Sequence, residues 1–163
     1  MRYMEPRLDP NSEPTTDKKP EDIRGLPRRR SARTKAEREA ARQGGYQPDA
    51  EALALARRIV DLAADKKAAD IVLLEIGGLT SLADYFVICS GSSERQLGAI
   101  VDGIAAGLRD EGVKPIGREG SASAHWMLLD FGSVIVHVMA PPERDFYQLE
   151  RLWAEAPLLV RLV

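Results

Sequence analysis

"HWMLLDFGSVIVHVM", residues 125–139, decides how this chain is read. Two apolar runs rich in β-branched residues flank Phe131-Gly132, and the pattern predicts two strands joined by a tight turn. With the tip at Phe131-Gly132, Asp130 faces Ser133, Leu128 faces Ile135 and Trp126 faces His137. Side chains alternate along a strand, so one face holds Met127, Leu129, Val134, Val136 and Val138 and is the expected core face. The other holds Trp126, Leu128, Asp130, Ser133, Ile135 and His137. Large apolar groups mixed with polar ones around an aromatic anchor have the composition of a binding surface. A helix of the same domain packed over that face would suit it equally well. A one-residue change in the turn would exchange the two faces.

Working outward, "DAEALALARRIVDLAADKKA" (49–68) places Ala52, Leu55, Ala56, Ile59, Leu62 and Ala63 on one helical stripe, after Pro48. "DIVLLEI" (70–76) and "DYFVICS" (84–90) are short apolar runs closed by glycine, hence strands covered on one or both faces. "SSERQLGAIVDGIAAGLRDEG" (92–112) is a helix, with Leu97, Ile100, Val101, Ile104 and Leu108 on its buried side. Ser93 and Gln96 form its capping box and Gly112 stops it. A short edge strand is expected around Ile116. After Pro141-Pro142, "ERDFYQLERLWAEA" (143–156) puts Phe146, Leu149, Trp153 and Ala156 on one stripe, with Arg144, Glu150 and Arg151 solvated. The order α-β-β-α-(β)-β-β-α has adjacent strands without intervening helices. It predicts an α/β domain with a small mixed β-sheet flanked by helices.

The N-terminal part differs in kind. Residues 1–45 contain 12 Lys/Arg and 8 Asp/Glu, a net of +4, whereas 46–163 contain 11 and 17, a net of −6. Only 10 of those 45 residues are apolar, too few to offset the entropy of ordering them. Residues 1–45 therefore read as a disordered charged arm and 46–163 as the folded domain. Its acids argue against a transit peptide. "LPRRRSARTK" (26–35) is either a solvated tail or a contact for RNA phosphates. A single cysteine, Cys89, rules out a disulfide within the chain and suits a reducing compartment. No apolar stretch approaches the ~20 residues of a membrane span. A cytoplasmic protein without membrane partners is expected.

Three sites are weighed for chemistry. "ICSGSSERQ" (88–96) runs from a strand through Gly-Ser to a helix start, where anions can bind. It lacks the lysine and glycine spacing of a P-loop. The turn resembles that of nucleotidyltransferases, but no strand carries the paired carboxylates their metals need. His125 and His137 lie twelve apart on different strands and lack a second cysteine, so no zinc site is expected. Cys89, within a strand, reads as inert packing rather than a nucleophile. No metal and no cofactor are expected.

Taken in order, "TSLADYFVICSGSSERQ" (80–96), "EG" (119–120), "HWMLLDFGSVIVHVM" (125–139) and "ERDFYQLERLW" (143–153) resemble the Iojap family of ribosomal silencing factors, RsfS, over roughly residues 50–155. The resemblance implies a nucleotidyltransferase-like fold without the catalytic carboxylates, and a non-enzymatic role. It implies binding to the large ribosomal subunit through its protein fourteen, blocking of small-subunit joining, and lower translation when nutrients are scarce. It also implies a homodimer off the ribosome. It places the contact on Trp126, Met127, Leu128, Leu129 and Asp130; the face argument favours Trp126, Leu128 and Asp130 for direct contact and adds Ile135 and His137. Phe131 and Ser133 depart from the family pattern, and Ser133 removes an acid common at the hairpin tip. The rival reading is a nucleotide-binding enzyme using "CSGSSER"; a third is an RNA-binding module led by the arm.

Overall fold

The computed structural model describes residues 44–163 together with Ala36; the expected arm and its RNA contact otherwise lie outside the described residues. Helix α1 (Ala50–Asp65) starts where expected, with the Asp49 carboxylate accepting from the amides of Glu51 and Ala52. Strands β1 (Ala69–Glu75) and β2 (Tyr85–Ser90) follow, then helix α2 (Glu94–Asp110). Ser93 Oγ accepts from the Gln96 amide, as the capping box requires. The reciprocal bond differs, since Gln96 Oε1 takes the amide of Ser92 rather than that of Ser93. Next come β3 (Gly117–Ser121), β4 (Trp126–Asp130) and β5 (Val134–Met139).

The six strands form one sheet in the order β3-β4-β5-β2-β1-β6, where β6 spans Leu158–Leu162. β2 and β5 are parallel and every other pair is antiparallel, so the sheet is mixed, as the strand order predicted. On one face α1 and α2 bury Ile59, Leu97, Ile100 and Ile104 against Val87, Leu129, Val136 and Val138. The helices approach closely at Gly107, where a Cβ would stand 2.5 Å from Leu62 Cδ2.

The C-terminal segment departs from the single helix expected over 143–156. It breaks into α3 (Pro141–Tyr147) and α4 (Leu149–Leu152) at Gln148, whose φ of 48° is left-handed. The break rotates Phe146 away from the stripe it was expected to share with Leu149 and Trp153. Phe146 is 66% exposed, while Leu149, Trp153 and Ala156 are buried against the second sheet face. Arg144, expected in solvent, is buried as well. Strand β6, which the pattern did not announce, pairs with β1 and makes the sheet edge.

Candidate docking surface

The β4–β5 hairpin brings together all seven residues expected at the site. Its ladder pairs Trp126 with Met139, Leu128 with His137 and Asp130 with Ile135, not Trp126 with His137 as expected. The turn sits one residue later, on Gly132-Ser133, with Phe131 N–H donating to Val134 O. Sliding an unchanged two-residue turn by one position moves each partner by two, so the faces stay as read. Met127 and Leu129 point into the core with α1 and α2; Trp126, Leu128 and Ile135 belong to the opposite cluster, with His137 among them.

Of the two readings left open for the mixed face, the structure shows the covered one. All seven residues are buried: Trp126, Leu128, Ile135 and His137 lie beneath the C-terminal segment, Met127 and Leu129 beneath α1 and α2, and Asp130 at the hairpin tip. Trp126 Nε1 donates to His137 Nδ1 at 3.2 Å. His137 also meets Phe86 edge-on, and Phe86 meets Trp153 in the same way. Burial drives the His137 pKa down to about 3, so the ring is neutral and its proton sits on Nε2. Asp130 accepts from the Gly132 amide at 2.7 Å and so fixes the hairpin tip.

What reaches solvent is the cover rather than the hairpin. The Trp126 ring lies 4.9 Å from that of Tyr147, which in turn lies 4.8 Å from the exposed Phe146. The buried tryptophan thus backs a two-ring ladder ending at the surface, with Leu152 exposed on α4. Sequence reasoning missed Phe146 and Tyr147 as surface candidates because an unbroken helix would have turned Phe146 inward.

The remaining candidates are structural in their contacts. His125, left-handed at φ 64°, stands between Glu94 at 3.4 Å and Glu143 at 3.3 Å, so it ties the starts of α2 and α3 together. Cys89 is buried and its thiol is pushed up to about 12, which keeps it protonated. At the Gly-Ser turn, Ser92 and Ser93 are engaged by Gln96 through their own hydrogen bonds. Among the described residues, no group of three or more His, Cys, Asp or Glu could hold a metal ion. No described helix is long and apolar enough to cross a membrane.

The sequence profile of a family described as "Ribosomal silencing factor during starvation" matches residues 49–161, a stretch running from the cap of α1 into β6. The chain belongs to this family. Ribosomal silencing factor RsfS of Bacillus subtilis is 44% identical over 94 residues, which are 58% of this chain and 80% of that protein. RsfS of Halalkalibacterium halodurans is 42% identical over 107 residues, 66% of this chain and 89% of the relative. The chloroplastic protein Iojap of Arabidopsis thaliana is 36% identical over 111 residues, 66% of this chain and 45% of that longer protein. Among solved structures, a Chromobacterium violaceum protein superimposes with a TM-score of 0.61 at 34% identity, covering 68% of this chain and 92% of its own. A Bacillus halodurans protein does so with 0.58 at 37% identity, covering 69% and 99%. The α/β fold with a mixed sheet is therefore that of the RsfS family. The RsfS relatives are named as silencing factors and not as enzymes.

Proposed function

We propose that this protein is a ribosomal silencing factor that docks on the large subunit through its protein fourteen and keeps the small subunit from joining. The observation that carries the reading is the family match across nearly the whole described domain. Inhibition would be steric: a domain of this size has a radius of gyration near ~13 Å, enough to occupy the position of an intersubunit contact. In this reading the contact surface is the exposed edge of the hairpin's cover. Phe146 and Leu152 supply apolar area, while Trp126, Leu128, Ile135 and His137 hold that cover in place from beneath. Met127, Leu129 and Asp130 would act through the shape of the hairpin. A homodimer off the ribosome belongs to the same reading, as does a cytoplasmic location.

The test is gradient sedimentation of the full chain with purified large subunits, followed by addition of small subunits. Wild type is expected to co-migrate with the large subunit and to reduce joined ribosomes. Phe146→Asp should weaken co-migration about tenfold at a stability cost within ~0.5 kcal/mol, because the ring is mostly exposed. Trp126→Ala is the poorer probe, since it also opens a cavity in the domain. Wild type that stays at the top of the gradient, or that binds without reducing joining, refutes the proposal.

A further inference from the structure

Among the described strands, β2 and β5 form the one parallel pair. At their carboxyl ends the chain leaves to opposite sides, through Ser92-Ser93 into α2 on one face and through Pro141 into α3, which leads to the cover of the other. Diverging connections of this kind open a crevice at the strand ends, and α/β domains hold ligands there. A cleft of about 490 Å³ lies beside these strand ends, on the side of α3, bounded by Asp70 at the start of β1, Ser90 at the end of β2, and Arg144, Asp145 and Gln148 from the C-terminal segment.

Two independent features mark the cleft. The first is backbone strain: Asp70 and Gln148 both line it and both adopt left-handed conformations, with φ of 49° and 48°. Such conformations are sparsely populated by non-glycine residues and concentrate at ligand sites. The second is Arg144, whose side chain is only 9% exposed. Its Nε donates to Glu150 at 2.6 Å and its Nη1 to Ser90 Oγ at 3.0 Å. Its Nη2 is shielded from solvent and has no hydrogen-bond partner, with Asp70 Oδ2 standing off at 3.9 Å. A buried guanidinium N–H without an acceptor is costly, and an incoming oxygen would relieve it.

We propose that this cleft binds a small zwitterion of the α-amino-acid class, its carboxylate on Arg144 and its ammonium between Asp70 and Asp145. Charge selects this class. A dianionic phosphate drawn to Arg144 would sit beside the carboxylates of Asp70 and Asp145. A purely cationic ligand would leave Arg144 Nη2 without an acceptor and would face Arg151. A ligand carrying both charges one carbon apart meets both demands. Asp70 can yield its place, because its Oδ1 stays on Arg161 at 3.1 Å while its Oδ2 makes only the long contact to Arg144. The volume is within the range of small-molecule pockets and leaves room for the ligand's own side chain. The inference does not depend on the ribosome reading.

The test is a titration of the full chain with glycine, L-leucine and L-glutamate, followed through backbone amide NMR shifts. L-leucinamide, which lacks the carboxylate, N-acetyl-L-leucine, which lacks the ammonium, and inorganic phosphate serve as comparisons. Saturating shifts at Asp70, Ser90, Asp145 and Gln148 are expected with at least one free amino acid, and about tenfold weaker binding of both blocked derivatives. Asp145→Asn, at an exposed position, should weaken binding several-fold with an unchanged melting temperature. No movement of these amides by about 10 mM amino acid overturns the proposal. So does phosphate, leucinamide or N-acetyl-leucine binding as well as the zwitterion.

Discussion

His137 makes the stability of this domain depend on acid in a way that can be calculated. The ring is buried, its Nδ1 accepts from Trp126 Nε1, and its pKa is held near about 3 by burial. In the unfolded chain an imidazole titrates near ~6.5. Between those values the unfolded state binds a proton that the folded state does not, so stability falls as pH drops from about 6.5 toward about 3. From the two pKa values, lowering the pH from about 7.5 to about 5 removes about 2 kcal/mol through this residue alone. The assay is urea unfolding at both pH values for wild type and His137→Gln, which keeps a polar group near Trp126 but cannot titrate. Every other titratable group is common to both proteins, so the difference between their pH dependences isolates His137. Wild type should lose about 2 kcal/mol more than the variant. Equal losses would refute the reasoning and would mean that water reaches the ring or that the folded state accommodates the imidazolium.

Gly120 has φ +80°, and a Cβ there would stand 2.1 Å from Trp126 O; Gly120→Ala should therefore destabilise the domain by more than ~2 kcal/mol in chemical unfolding. Ser93→Ala removes the oxygen that caps α2 and should cost ~1 kcal/mol, seen as a lower melting temperature, whereas Ser93→Asp should restore it. Cys89 should resist iodoacetamide in native buffer and react at once in urea, as mass spectrometry would read, since its thiol is buried and pushed up to about 12.

The hairpin shows how far sequence reasoning reaches. Alternation identified both faces of β4 and β5 correctly, because face assignment depends only on parity. The facing pairs were misjudged because Phe131 is a bulky residue that can occupy either a turn or a last ladder position. Only the contacts around it, including the Asp130 bond to the Gly132 amide, decide which. The helices α1 and α2 were legible for a similar reason: their apolar spacing and capping residues are local signals. The C-terminal segment was not. Nothing near Gln148 marks a left-handed residue, and the break there is sustained by tertiary contacts such as Arg144 with Glu150 and Ser90. With the chain broken there, Phe146 faces outward, the mixed face is covered and Arg144 is buried. The family was legible because four separated motifs stand in the right order; where its members make contact is a property of the folded surface.

The pairing of β6 with β1 also has a kinetic side. Asp70 and Arg161, bonded across these strands, are 91 positions apart in the chain. Loop closure over that distance makes such a pairing slow and late. During synthesis, at about 5–20 residues per second, β1 would wait several seconds as an apolar strand with one edge unpaired. Until β6 emerges and docks, that edge is open to pairing with other nascent chains. A chaperone requirement would then be expected to fall on β1 and to end with the arrival of residues 158–162.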